Sequence, residues 1–157
     1  MQAYETVEES GGETVSGATG FVTVITEING GAAAAAVVPN TWPSQFPSYV
    51  AKFGRDFTAS LTLPTGKKGA TGEPLYVWQD YVAGTDPTDL NDTFRAEIAM
   101  VNDAPVVSWS PVLPATEAAK RTYTILGRQS LLAGDWEVVP SGQEANYNFF
   151  KVTVQLK

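Results

Sequence analysis

Three carboxylates recur at three-residue spacing in one short acidic segment of this chain. Asp86, Asp89 and Asp92 follow Gly84, which can adopt a positive φ and end a helix, and Pro87 fixes a turn directly after the first of them. Carboxylate oxygens are the hard ligands that Ca²⁺ prefers, and the ion takes roughly six to eight of them. The segment therefore predicts a Ca²⁺ site with Asp86, Asp89 and Asp92 as ligands.

Two other interpretations of the acidic segment stay open. Asp86 and Asp89 are residue types that form turns and carry solvated charge, with no metal involved. The third interpretation is a lysine clamp, in which the ammonium group of Lys67 or Lys68 neutralises the turn in place of a metal ion.

Catalytic chemistry is restricted because the chain has no histidine and no cysteine. This excludes Ser-His and Cys-His nucleophiles, thiolate zinc sites and disulfides. A lysine-activated serine or a carboxylate pair of the glycosidase kind remains, and Glu73, Asp80 and Asp86 are the clustered candidates for the pair. Since a chain of 157 residues without a cleft signal is a poor host for such a hydrolase, we expect a protein that is not an enzyme.

Charge and hydropathy exclude two classes of partner. The formal charge is −7 and the sequence pI is near 4.5, so the long-range field repels phosphate backbones and no nucleic acid partner is expected. The longest small-apolar run, 32–38, is closed by Pro39 and is too short to span a membrane. The first residues lack a basic segment followed by an apolar one, so either the chain is cytosolic or a secretion signal lies outside it.

The sequence W-Q-D-Y-V-A-G-T-D-P-T-D, residues 78–89, resembles the helix and acidic turn of bacterial thrombospondin type 3-like repeats. The resemblance covers 76–92, with a weaker match that starts at Pro39. It implies an extracellular or cell-surface location and a weakly bound Ca²⁺, in the range of extracellular modules with Kd of about 10⁻⁴ to 10⁻³ M. Lys67 and Lys68 stand where the family places further carboxylates.

The elements around this motif divide the chain into three predicted parts. Residues 1–19 are rich in Glu, Ser and Gly and predict a flexible arm. Residues 20–92 begin with a β-branched strand, 20–27, and continue as loops and short helices, one of them at 56–61 with Asp56 as its N-cap. Aromatic side chains are frequent in this second part, and they predict a small shared core; a carbohydrate-binding platform is the alternative.

Residues 93–157 form the third part, a small antiparallel β-sandwich. Apolar residues alternate along 93–101, and Asn102-Asp103 then turns the chain into a second strand, which predicts a hairpin. Period-2 patterning directs six side chains inward: Trp109, Tyr123, Ile125, Phe150, Val152 and Val154. The fold class is therefore mainly β, and the connection that holds Glu117, Lys120 and Arg121 is expected to be a solvated charged turn.

This third part also resembles the fibronectin-III-like modules that follow such repeats in large bacterial surface proteins. The resemblance rests on the pattern V-x-W, R-x-Y-x-I-x-G and F-F-K-V-x-V. It implies that Trp109, Tyr123, Trp136 and Phe150 are core residues.

These observations favour a non-catalytic extracellular module, structural or adhesive, of a bacterial cell-surface or secreted protein. It would be stabilised by Ca²⁺ if the acidic turn, residues 85–92, holds an ion. The expected partners are other domains of a larger surface protein or a glycan. A carbohydrate-binding module is the alternative function. A glycoside hydrolase that uses Glu73, Asp80 and Asp86 is the third.

Overall fold

The computed structural model of the chain describes residues 7–9, 13–15, 23–30, 32–130, 132 and 134–157. Most of the predicted arm, 1–19, lies outside the described residues. Two short segments of the arm are described, and both are strands. No helix among the described residues is long and apolar enough to cross a membrane.

The described strands in chain order are β1 (Val7–Glu9), β2 (Glu13–Val15), β3 (Thr23–Ile28), β4 (Pro64–Lys68), β5 (Pro74–Tyr76), β6 (Arg95–Val101), β7 (Ala104–Ser110), β8 (Arg121–Arg128), β9 (Glu137–Val138) and β10 (Phe149–Leu156). The α-helices are α1 (Tyr49–Phe53), α2 (Phe57–Ser60), α3 (Val77–Ala83) and α4 (Ala115–Ala118), and 3₁₀ helices cover Ala32–Val37, Pro43–Gln45 and Glu144–Asn146. The predicted mainly β fold with antiparallel sheets and few short helices is confirmed.

The larger sheet has the strand order β1-β2-β3-β10-β8-β9, and β10 lies near its middle. β10 pairs antiparallel with β8 along its whole length, from Phe149 opposite Arg128 to Leu156 opposite Arg121. On its other side β10 pairs with β3 in parallel, with Phe149 opposite Thr23. β3, which lies in the predicted second part (20–92), is thus hydrogen-bonded to β10, the last strand of the predicted third part (93–157). A parallel pair requires a long crossover connection, and here the crossover contains all of the elements between β3 and β10.

β6 and β7 form the predicted hairpin as a separate two-stranded sheet. Asn102 and Asp103 have positive φ angles of 50° and 62°, which is the conformation of a type I′ hairpin turn. The hairpin packs against the larger sheet where β6 approaches β3. Helix α3 packs against β10 and β3.

The six side chains that the sequence directs inward all contribute to the core. Phe150, Val152 and Val154 on β10 are fully buried, and the other three are half-buried and pack against the same cluster: Trp109, Tyr123 and Ile125. Trp136 differs from its predicted role. It is half-buried, and its ring lies 5.4 Å from the Arg128 guanidinium carbon and 5.0 Å from the Lys151 ammonium nitrogen.

Local signals place the short helices where the sequence predicts them. The Asp56 carboxylate accepts a hydrogen bond from the Ala59 amide at 3.0 Å and caps α2. Gly84 ends α3 in the left-handed conformation with φ 81°, and its amide donates to the Asp80 carbonyl at 2.8 Å. The start of the acidic turn is therefore fixed by a helix end.

Candidate functional site

Lys67 reaches the interior because β4 alternates between exposed and buried residues. Thr65 and Lys67 are the two buried positions, and only 2% and 5% of their surfaces are exposed. The Thr65 hydroxyl donates to the Leu75 carbonyl on the paired strand β5 and accepts the Lys67 amide. The neighbouring Lys68 is exposed. Strand geometry thus selects one of the two lysines that the sequence left as alternatives.

The Lys67 ammonium is surrounded by three oxygen atoms. Nζ lies 2.6 Å from Asp80 Oδ1, 2.8 Å from the Asp86 carbonyl oxygen and 2.5 Å from the Asp92 carbonyl oxygen. An ammonium group has three N–H donors, so each donor has one acceptor. The ion pair is dry, because the side chains of Lys67 and Asp80 are only 2% and 4% exposed.

Asp80 comes from α3, whose inward face lies in the aromatic core. Its Oδ1 also accepts the Thr85 hydroxyl, while Oδ2 has no hydrogen-bond partner within the described part of the chain. Burial raises the pKa of the Asp80 carboxyl, and the Lys67 charge and the hydrogen bonds from Lys67 and Thr85 oppose this rise. The negative charge of Asp92 adds to the rise.

The three predicted metal ligands bind their own turn. Asp86 Oδ1 accepts the amide and the hydroxyl of Thr88 at 2.8 and 2.6 Å. Asp89 Oδ1 accepts the Asn91 amide at 2.9 Å, and Asp92 Oδ2 accepts the Asp86 amide at 2.8 Å. The bonds of Asp86 and Asp89 are typical of Asx turns, in which a short carboxylate satisfies an amide two residues ahead of it. Asp92 instead reaches back to the Asp86 amide and joins the two ends of the turn.

This arrangement does not fit a Ca²⁺ ion shared by Asp86, Asp89 and Asp92. Among the described residues no three acidic side chains converge as metal ligands. The atoms that do converge in the turn are two backbone carbonyl oxygens and one Asp80 carboxylate oxygen, and all three contact the Lys67 ammonium. Of the three sequence interpretations, the contacts support two: Asp86 and Asp89 form turns, and the Lys67 ammonium lies in the turn where a metal ion would otherwise bind.

The hydrolase candidates are divided between two cavities. Glu73 and Asp80 both line a cavity of about 340 Å³ beside β4, together with Gln79 and Phe94. Asp86 lies on the other side of the turn, in a second cavity. Burial raises the pKa of Glu73, but hydrogen bonds from the Thr71 hydroxyl, the Glu73 backbone and the Thr71 amide together outweigh burial and hold the pKa below its ordinary value. Glu73 and Asp80 therefore do not form a free acid paired with a free base, because Lys67 is hydrogen-bonded to one Asp80 oxygen.

The second cavity, of about 580 Å³, is lined in part by aromatic side chains. Trp42, Phe46 and Tyr81 line it, with Gln45 and Lys120 among the polar residues. Trp42 packs edge-on against Phe46 and Tyr81, with ring centroids 5.2 and 5.4 Å apart. Trp42 and Tyr81 are each only 7% exposed, so they present edges to the groove and no flat platform.

Arg121 is the residue that sequence reasoning placed wrongly. Arg121 was expected to be a solvated charge, but it is only 4% exposed. Its guanidinium donates to the carbonyls of Tyr81, Val82 and Glu117 at 2.6, 2.7 and 2.7 Å. Period-2 alternation contained the signal, since Arg121 shares a strand face with the predicted core residue Tyr123. Lys120 does match the expectation: it is exposed and pairs with Glu117 at 2.9 Å.

Comparisons of the chain with protein-family models, with curated proteins and with solved structures found no match. The two family resemblances therefore stay predictions from the sequence.

Proposed function

We propose that this chain is a non-catalytic extracellular module, structural or adhesive, of a bacterial cell-surface or secreted protein. The resemblance of 76–92 to thrombospondin type 3-like repeats and of 93–157 to fibronectin-III-like modules supports the location. The contacts of the charged and aromatic residues support the absence of catalysis. Its partners in this proposal are the other domains of a larger surface protein.

The main support for the proposal is that two buried cationic side chains donate hydrogen bonds to backbone carbonyl oxygens. Lys67 donates to two carbonyl oxygens of the acidic turn, and Arg121 donates to the carbonyls of Tyr81 and Val82 at the end of α3. Each therefore supplies a charged donor to carbonyl oxygens at the end of a short helix or in a turn. Arg121 begins β8, so it also fastens the helical segment to the larger sheet. Buried charge with this role holds two parts of a chain in fixed register.

The aromatic residues support the same conclusion. Tyr49 is completely buried, and its hydroxyl shares a 2.7 Å hydrogen bond with Ser60. Trp109 and Tyr123 stack face to face at 4.8 Å, so each ring covers one face of the other. Ring faces that are used in this way are not free to stack on a sugar.

Turnover assays test the absence of catalysis. The purified chain is incubated with a broad panel of glycans and peptides, and we expect every substrate to stay intact. Glu73→Gln and Asp80→Asn are the matched variants, since both residues line the 340 Å³ cavity. Turnover by the wild type that disappears in either variant would establish a carboxylate mechanism and refute the proposal.

Location is tested on cells of the source organism with an antibody raised against the chain. Intact cells should be labelled as strongly as permeabilised cells, and external protease should remove the signal. A signal that appears only after permeabilisation would place the protein inside the cell and contradict the proposal.

A carbohydrate-binding module is the second candidate, and the cavity lined by Trp42, Phe46 and Tyr81 favours it. Phe46 is half-buried and is the most accessible of the three rings. A glycan array followed by calorimetry tests this candidate. Binding that is lost in Phe46→Ala and kept in Phe57→Ala, whose ring packs on Tyr49 away from the groove, would favour carbohydrate recognition over the structural proposal.

A further inference from the structure

We infer that the Lys67 ammonium occupies a cation site built by the acidic turn, and that a divalent metal ion takes this site when the lysine side chain is shortened. The inference concerns the turn alone and does not depend on where the protein is located or what it binds. It also gives a reason for the poor fit of Asp86, Asp89 and Asp92 to a shared Ca²⁺.

The site is defined by oxygen atoms that point at one position. Asp80 Oδ1 and the carbonyls of Asp86 and Asp92 lie between 2.5 and 2.8 Å from the Lys67 nitrogen. The two carbonyls belong to opposite ends of the turn, so whatever cation lies between them closes the loop. The ammonium is carried into this position by the lysine stem, which enters from β4.

Two further oxygens lie beside this position. The Thr85 hydroxyl donates to Asp80 Oδ1, and Asp80 Oδ2 is buried with no hydrogen-bond partner within the described residues. Without the ammonium, Asp80, Thr85 and the two carbonyls together offer a set of hard oxygen ligands, and solvent can supply the rest. The unpartnered Oδ2 is the atom that an ion of higher charge would bind.

Charge favours an ion at this position once the lysine is gone. Lys67→Ala leaves the Asp80 carboxylate buried without its counter-ion, and a lone buried charge is strongly unfavourable. The negative charge of Asp92 lies close enough to raise the pKa of Asp80, so it adds to the negative potential. The truncated stem leaves a space about the length of a propylammonium ion, which is large enough to admit a metal ion.

Thermal melting of the wild type and three variants in millimolar CaCl₂ and in EDTA tests the inference. The wild type should melt at the same temperature in both. Lys67→Ala should lose about 10 °C in EDTA, by analogy with other broken buried pairs, and should regain about half of that loss in CaCl₂. Lys68→Ala is the matched control, because Lys68 is exposed on the same strand, and it should behave as the wild type. Lys67→Ala/Asp80→Asn should not respond to CaCl₂, since its only charged ligand is gone.

Two results would overturn the inference. The first is a wild type that melts higher in CaCl₂ than in EDTA, which would mean that a metal ion binds while Lys67 is present. The second is a Lys67→Ala variant that ignores CaCl₂. If Lys67→Ala is unfolded in EDTA, its circular dichroism is followed during CaCl₂ titration: recovery of the folded spectrum supports the inference, and an unchanged unfolded spectrum refutes it.

Discussion

The Lys67 ammonium lies 2.6 Å from Asp80 Oδ1, and both side chains are almost completely buried. A buried ion pair of this kind contributes less to stability than its short distance suggests, because both charges have been removed from water. Its main effect is on specificity. Through one nitrogen atom, Lys67 of β4 is bonded to α3 and to both ends of the acidic turn. These segments therefore have one relative arrangement in which the buried charges are paired.

The first prediction separates the charge of Lys67 from its bulk. Lys67→Met keeps the apolar stem and removes the ammonium, and we expect it to lower the free energy of unfolding by about 3–5 kcal/mol, because it leaves a buried carboxylate unpaired. Lys67→Met/Asp80→Leu should be more stable than Lys67→Met alone, since the unpaired charge is gone too. Lys68→Met should stay within about 0.5 kcal/mol of the wild type. Urea unfolding measures all three, and a double variant less stable than Lys67→Met would contradict the prediction.

The second prediction concerns pH. Burial raises the pKa of Asp80 above its ordinary value, and the Lys67 charge limits that rise. A carboxyl whose pKa is higher in the folded state binds more protons there, so its contribution to stability is present at low pH and is lost as pH rises through the folded pKa. Lys67→Met should raise this pKa further. The stability lost in Lys67→Met should therefore be smaller near pH 4 than near pH 7.

Urea midpoints at several pH values measure this difference between Lys67→Met and the wild type. Lys67→Met/Asp80→Leu is the control, because it has no carboxyl at position 80. The difference in stability between this variant and the wild type should change with pH only because Asp80 titrates in the wild type. A Lys67→Met deficit that grows on acidification would show that Asp80 is not the group responsible.

The third prediction compares Arg121 with its neighbour Lys120. Arg121→Met removes two buried hydrogen bonds, to the Tyr81 and Val82 carbonyls, and a third to the Glu117 carbonyl, and we expect a loss of about 3 kcal/mol because buried polar groups at the end of α3 lose a charged donor. Lys120→Met breaks only the exposed pair with Glu117, whose side chains are 55% and 40% exposed, and should leave the urea midpoint close to that of the wild type, because solvent screens such a pair. Equal losses in the two variants, measured by urea unfolding, would show that Arg121 does not fasten the helix end to β8.

Features that the sequence predicts well are those that a few neighbouring residues determine. The Asp56 cap, the left-handed Gly84 and the Asn102-Asp103 hairpin turn each depend on local backbone preferences, and all three lie where the sequence predicts them. The alternation of apolar residues along β10 likewise determines which side chains face the core.

Features that depend on distant segments could not be predicted in the same way. β4 contains Pro64, Gly66 and two lysines, a composition with low strand propensity, and it forms because it pairs with β5. The choice of Lys67 over Lys68 follows from that pairing. The parallel pairing of β3 with β10 joins segments more than 120 residues apart and has no local signal.

The last prediction tests the backbone at the start of the acidic turn. Gly84 has φ 81°, and a Cβ atom there would lie 2.5 Å from Leu113 Cδ2; Gly142 has φ 80° with no atom within 4 Å of the corresponding position. Gly142→Ala should therefore cost only the strain of a left-handed alanine, about 1–2 kcal/mol. Gly84→Ala should cost this strain and, in addition, the displacement of Leu113, for about 2–4 kcal/mol in total. In a Leu113→Ala background the steric part disappears, so Gly84→Ala should then cost the same as Gly142→Ala. Equal costs of Gly84→Ala in both backgrounds, measured by urea unfolding, would show that Leu113 does not pack over the end of α3.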